Sequence, residues 1–393
     1  MNSMIVPVAA MLLGALGVVE NTLHQRRIRA IPIRINVNGT RGKSTVTRLI
    51  AAGLRSGGLR TVGKTTGTAP RLILPDGSEE PIRRRGRARI SEHIAVAKRA
   101  FGEGADALVV ECMALTPENQ AVYEHVLVRS TIGVITNIRP DHLEVMGPGL
   151  EDVAETLALT VPDRGKLVTL DGPHLDVIRQ ECARRDASLH LADPASVSEE
   201  ELAQFRYTSF AENVALALLA CELAGVDRAI ALRGMVQALP DPGVSPVVSL
   251  AVDGRSLRIV NAFAANDVES TLKMWEDFVE PHVSDHDRTF VMVNNRSDRP
   301  HRVEEMSRMA ASLPVDCLFY VGDLQRLAVR LTPAGKAPVV LALGSRRPAE
   351  ILQQVAARVP EGGSAILFLV GNMKGAGSSL TEEIAARTGA VSA

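Results

Sequence analysis

Aromatic residues are scarce. Phe, Tyr and Trp supply 3% of the 393 residues, with a single Trp, so the 46% apolar content rests on Val, Ile, Leu and Ala. That composition is the one expected of layered α/β proteins built on buried parallel strands. Cysteine is equally sparse. Cys112, Cys182, Cys221 and Cys317 lie far apart and form neither a CxxC pair nor a zinc spacing, which predicts reduced, buried thiols and a cytosolic location for the bulk of the chain. Charge of one sign is also missing. The formal net charge is −1, so nothing global draws the chain toward nucleic acid and no nucleic-acid partner is expected. No repeat of solenoid period is present, and no signal peptide is read, because the basic residues follow the first apolar run instead of preceding it.

What is there begins with that run. Residues 1–19 carry no side-chain charge, and Arg26, Arg27 and Arg29 follow. A span needs about 20 apolar residues, so this segment is of marginal length. Residues 1–25 are read as an apolar membrane-associating helix that leaves the bulk of the chain on the cytoplasmic face. A helix packed on a partner subunit or on the chain's own core is the other reading. At about 150 residues per domain the length allows two or three units. A boundary is placed at residues 240–246, where three prolines and a glycine make a stiff linker. It separates a central domain, 30–240, from a Rossmann-like domain, 247–393. The linker is expected to let the second close against the first.

The central domain opens with a strand, Ile31–Val37, then a glycine-rich turn, then apolar residues at helical spacing over Ser44–Leu54. Pro75-Asp76-Gly77 marks a turn between short strands, and Ser91 is a predicted N-cap. Ala107–Val110 and Thr131–Thr136 are short apolar strands that deliver Glu111 and Asn137 at their carboxyl ends, where open parallel sheets place ligands. Lys166–Leu170 is a further strand, and Phe210–Ala224 a helix. After the linker, strands at Leu257–Val260, Thr289–Val293, Cys317–Val321, Val339–Leu343 and Ala365–Val370 alternate with helices in a doubly wound pattern.

The turn Gly39-Thr40-Arg41-Gly42-Lys43-Ser44-Thr45 has the makings of a polyphosphate cradle. Glycines let backbone amides approach phosphate oxygens, Lys43 offsets β/γ charge, and the Ser44 hydroxyl can join a Mg²⁺ shell. Strict Walker spacing would put glycine at position 37, and Val37 stands there. Bunched arginines at 83, 84, 85, 87 and 89 fit either a solvated charge run or an anion site. Gly371–Gly377 follows a strand and fits either a second anion loop or an ordinary turn.

The shortened form G-T-x-G-K-[ST]-[ST] resembles that of Mur ligases and folylpolyglutamate synthetases, and further blocks agree. ITNIRPDHLEVMG (135–147) resembles their N-x-x-x-D-H-L-[DE] block, and VVECMA (109–114) sits where they carry a metal-binding glutamate. Phe210–Asn213 resembles their adenine-holding region, and VNAFAANDVEST (260–271) the start of their C-terminal domain. KTTGTAPRLILPDGSEEPIRRRG, ECMALTPENQ and the late GNMKGAG narrow the resemblance to ligase subunits of bacterial capsular poly-γ-glutamate synthases, over nearly the whole chain.

The resemblance implies an α/β fold: a P-loop-containing parallel-sheet ATPase domain of Mur ligase type and a smaller Rossmann-like C-terminal domain. It implies ATP and Mg²⁺ as cofactors, with Lys43, Glu111 and His142 catalytic and Ser44, Glu111 and His142 on the metal. Gly39 to Thr45 and Asn213 would hold nucleotide. The implied activity joins glutamate into poly-γ-glutamate through an acyl phosphate. Arg71, Arg83, Arg84 and Arg85 are candidates for gripping carboxylates, because guanidinium forks match them bidentately. Membrane-embedded partner subunits are implied as well, and a homo-oligomer is left open. Two departures stand out. Mur ligases generally carry a carbamylated lysine in the region of Glu155-Thr156-Leu157, but no lysine follows here until Lys166, leaving Glu144, Glu151, Glu155 or substrate phosphate and water as oxygen donors. Asn261 and Val268 replace the family's aspartate and proline. A phosphate loop by itself is also compatible with a membrane-associated motor or regulatory NTPase, or with a peptidoglycan or folate ligase.

Overall fold

The computed structural model describes residues 5–67, 70–84, 88–140, 142–205, 210–239, 247–263, 265, 268–297, 300–333 and 339–388. The 240–246 linker, Asp141 and Arg85 lie outside them. The chain divides into two compact units, Met1–Leu239 and Pro240–Ala393.

In the first unit a long helix, α1 (Ile5–Arg29), precedes β1 (Ile33–Asn38) and α2 (Lys43–Ser56). Then come β2 (Thr61–Lys64), β3 (Arg71–Ile73), β4 (Glu79–Pro81), α3 (Glu92–Gly102), β5 (Ala107–Glu111), β6 (Ile132–Ile135), β7 (Lys166–Leu170) and β8 (Ser188–Ala192). The sheet order is β4-β3-β2-β5-β1-β6-β7-β8. From β2 to β8 all neighbours are parallel, while β3 and β4 add an antiparallel hairpin around the Pro75–Gly77 turn. Because β5 and β6 flank β1 on opposite sides, the chain leaving β1 emerges at the switch point of the sheet, with the ends of all three strands around it.

α2 is held there by its apolar stripe. Val46, Leu49, Ile50 and Leu54 are fully buried, each side chain stabilising the unit by about 1.5–3 kcal/mol. They join the cluster of Ala211–Leu223, a helix buried on nearly every side between α2 and the sheet, which explains why its sequence is apolar all round. Ser91 does precede α3, but it has helical dihedrals and its side chain makes no cap hydrogen bond; Glu92 beside it accepts from Arg84. β1 carries two buried asparagines that periodicity could not place. Asn36 donates to Glu124, and Asn38 to Gln120 and Thr160.

α1 has two characters. Met11, Leu13, Leu16, Val18 and Val19 are 55–69% exposed, whereas His24 and Ile28 are buried against the unit. No helix of the described residues is long and apolar enough to cross a membrane. The buried end meets a π-helix, Tyr123–Val128. The carbonyls of Val126 and Leu127 accept from Gln25 Nε2 and His24 Nε2, each at 2.8 Å.

The second unit contains β9 (Val247–Val252), β10 (Arg255–Asn261), β11 (Arg288–Asn295), β12 (Cys317–Gly322), β13 (Val339–Ala342) and β14 (Ser364–Gly371). Their order is β13-β12-β11-β14-β10-β9, parallel except for β9, which forms a hairpin with β10 and was not foreseen in the sequence. Alternate residues feed two apolar layers: Phe290, Met292 and Leu367 on one face, Val291, Val293 and Phe368 on the other. Trp275 packs edge-on against Phe368 at 5.7 Å. After β14, Asn294 Nδ2 donates to the carbonyls of Asn372 and Lys374, so of the two readings of Gly371–Gly377 the geometry is that of a tied turn with carbonyls facing inward.

Candidate active site

The loop between β1 and α2 needs its two glycines. Gly39 has φ +124°, and a Cβ there would lie 2.1 Å from Thr136 Oγ1 and 2.8 Å from Thr136 N. Gly42 has φ +80°, and its Cβ would lie 2.6 Å from Asn213 Oδ1. The loop is therefore pressed between the end of β6 and the first turn of helix Ala211–Leu223, which is where Asn213 is buried. Asn137 fixes its conformation. Its Oδ1 accepts from Thr40 Oγ1 (2.7 Å) and Arg41 N (3.0 Å), its Nδ2 donates to Arg41 O (3.1 Å), and its carbonyl accepts from Thr40 N (3.1 Å). Thr136 Oγ1 also donates to Arg41 O, and Arg139 N to Thr40 Oγ1. Lys43 curls back so that Nζ reaches Gly39 O (2.6 Å) and Thr40 O (3.2 Å). Ser44 and Thr45 follow in the first turn of α2, whose amide end is a ready anion site.

Glu111 ends β5 beside this loop, only 4% exposed. Its Oε2 accepts from Ser44 Oγ (2.8 Å) and Thr66 N (2.5 Å), and its backbone carbonyl from the buried Tyr123 hydroxyl (3.2 Å). His142 caps a short helix, Leu143–Met146, in a left-handed conformation. Its Nδ1 lies 3.2 Å from Glu144 Oε1. A cleft of about 180 Å³ lies between the loop and His142; Gly39, Lys43, Thr66, Arg84, Met113 and His142 are among its walls. Cys112 lines it too, its thiol pushed up to about 12 by burial.

Of the four arginines read as carboxylate grips, Arg84 reaches this cleft. Arg71 sits on β3 away from it, with its Nε buried and unpaired, and Arg83 is exposed without lining it. Sequence reasoning missed the partners of Arg84. Arg84 Nε and Nη2 clasp Glu92 (2.7 and 3.1 Å), and the same carboxylate takes the ammonium of Lys64 at 3.2 Å, whose side chain is wholly buried. Burial pulls the Lys64 ammonium down, with Glu92 opposing; burial disfavours the Glu92 anion, but Arg84 and Lys64 outweigh it and hold its carboxyl below the usual range. Only the contact between β2 and α3 in space, not any spacing in the chain, could have revealed this group.

Among the described residues no three His, Cys, Asp or Glu side chains gather into a metal cluster. The adjacent oxygens of Ser44 and Glu111 nonetheless suit Mg²⁺, which binds through one or two protein oxygens and keeps waters and substrate phosphates for the rest.

A parallel sheet with a phosphate-type loop at its switch point and a carboxylate under the loop defines a nucleotide-handling α/β enzyme. Residues 37–235 match the Mur ligase middle domain, and residues 247–387 the poly-gamma-glutamate synthase CapB C-terminal domain. PGA synthase CapB of Bacillus subtilis (strain 168) is 35% identical over 382 residues, 96% of each chain. Capsule biosynthesis protein CapB of Bacillus anthracis is 39% identical over 333 residues, 84% of this chain and 66% of that one. The structure of E. coli FolC in complex with DHPP and ADP shares the fold, with TM-score 0.64 at 16% identity over 94% of this chain and 93% of that one. The chain belongs to the CapB family of Mur-type ligases.

Proposed function

We propose that this chain is the ligase that polymerises glutamate into poly-γ-glutamate, using the cleft between the phosphate loop and His142 with Glu111 beneath the loop. It is an ATP-dependent amide-bond ligase. ATP phosphorylates the terminal γ-carboxylate of the growing chain, and the amine of the incoming glutamate displaces phosphate from that acyl phosphate, giving an amide, ADP and phosphate. The observation that carries the reading is the contact of Ser44 Oγ with Glu111 Oε2 beneath a loop whose lysine shares one cleft with His142.

In this reading the amides of Gly39 to Thr45 cradle the β- and γ-phosphates, and Lys43 leaves the loop carbonyls to offset their charge. Asn213, packed against Gly42, would meet the nucleotide's base. Ser44, Glu111 and His142 Nε2 would hold Mg²⁺, which when bound supplies charge neutralisation to the transferring phosphoryl group. Glu144 orients His142, and Tyr123 holds the backbone of Glu111. The exposed Met11, Leu13, Leu16, Val18 and Val19 of α1 support docking on the cytoplasmic face of the membrane or against membrane subunits of a synthase.

The test is ATP with ¹⁴C-glutamate and membranes, comparing wild type with Lys43→Ala and His142→Ala. Loss of glutamate-dependent ADP release and of polymer in both variants is expected. Polymer made by both would show that the site lies elsewhere.

A further inference from the structure

The cluster of Arg84, Glu92 and Lys64 has no part in holding nucleotide or metal as described above. One carboxylate there neutralises two cations, leaving an excess positive charge on the wall of the cleft that also holds Lys43. Arg84 meets Glu92 through one edge of its guanidinium, Nε with Nη2. A guanidinium has a second edge, Nη1 with the other N–H of Nη2, that can take another carboxylate bidentately. Among the described residues nothing bonds Nη1 of Arg84.

The carboxylate to be phosphorylated must lie at the phosphate loop, beside Lys43. A terminal glutamate carries a second carboxylate three carbons away, at its α-position. We infer that the end-on edge of Arg84 binds the α-carboxylate of the acceptor's terminal glutamate, and that Glu92, anchored by buried Lys64, is the positioning residue that aims it. This rests on the ligase reading above. Glu92 fixes the side-on edge, so that the fork is already oriented when substrate arrives. Lys64, sealed behind Glu92 and against Met113 Sδ at 3.1 Å, keeps that carboxylate ionised and in place. The arrangement would make the enzyme read the α-carboxylate, not merely a negative chain end.

The experiment compares two acceptors, a γ-glutamyl oligomer ending in glutamate and the same oligomer ending in 4-aminobutyrate, which keeps the reacting carboxyl and lacks only the α-carboxylate. For wild type the second acceptor should show KM raised at least tenfold. Arg84→Met should raise KM for the first acceptor to the level of the second and so abolish the preference. Glu92→Gln should shrink it, and Arg84→Lys should keep part of it. KM for ATP should stay within twofold of wild type in all three, with folding checked by thermal melting. An undiminished preference in Arg84→Met, or a preference lost only together with ATP affinity, overturns the inference. Wild type that fails to extend either acceptor overturns the ligase reading instead.

Discussion

Replacing Asn137 with alanine tests whether the β6 end is the template of the phosphate loop. The substitution removes three side-chain hydrogen bonds, to Thr40 Oγ1, Arg41 N and Arg41 O, while leaving the backbone bond from Thr40 N. At about 1 kcal/mol net each, the loop loses up to about 3 kcal/mol of preference for its present shape. That ordering must then be supplied by the ligand, and since about 1.4 kcal/mol is tenfold, nucleotide binding should weaken by up to about 100-fold. Thr40→Val removes the bonds to Asn137 Oδ1 and from Arg139 N and should cost somewhat less. The double variant should fall short of the product, because the two share one bond. Calorimetric titration with ADP or a non-hydrolysable ATP analogue measures all three, with thermal melting as control. Asn137→Ala binding nucleotide within twofold of wild type, at unchanged stability, would refute the template argument.

Gly39→Ala should destabilise the first unit outright, because its Cβ meets backbone as well as the Thr136 hydroxyl at a φ that L residues rarely adopt; a drop of about 2–5 kcal/mol in a urea melt is expected. Stability should also decline on acidification below pH 6.5. Burial lowers the pKa of both His24 and His93 from 6.5, so the unfolded chain binds their protons first; stability is complete above that value and falls beneath it, by about 1.4 kcal/mol per pH unit for each histidine at the steepest. Melts from pH 8 to pH 5 measure the slope, and a flat profile would contradict it. The cysteines should be inert: burial raises all four thiols, Cys182 and Cys317 to about 11, so a disulfide reagent at pH 8 should titrate less than one thiol in native protein and four in guanidinium.

Much of the fold is written in local pattern. The strand, glycine turn and helix around Gly39–Thr45 are readable because periodicity changes from 2 to 3.6 across the turn, and the alternating strands of the second unit are readable for the same reason. β9 escaped because the proline-rich stretch before it signals a linker and its pairing partner gives no mark on it. In the site, Lys43, Ser44, Glu111 and His142 were accessible through strand-end position and resemblance. Asn137 was seen as a polar strand end, but its role needs the crossing of β6 under the loop. Lys64 and Glu92 were invisible, since a lysine ending a strand and a glutamate opening a helix ordinarily face water. The serine before that glutamate carried the expected cap signature and turned out to make no cap bond.

The seating of α1 bears on how the chain can be shortened. A π-helix widens its turn, and here the carbonyls of Val126 and Leu127 are met by groups from α1, while Tyr123 at its start ties the Glu111 carbonyl and packs its ring 5.5 Å from His93. The useful cut is therefore not at the end of the apolar run. Removing residues 1–25 would strip buried His24 and its neighbour Gln25 from a joint that leads through Tyr123 to Glu111, and any loss of activity would be misread as loss of an anchor. A truncation that stops before Thr22 keeps the joint and removes the apolar run with its exposed Met11, Leu13, Leu16, Val18 and Val19, separating the part of this helix that addresses its surroundings from the part that belongs to the enzyme.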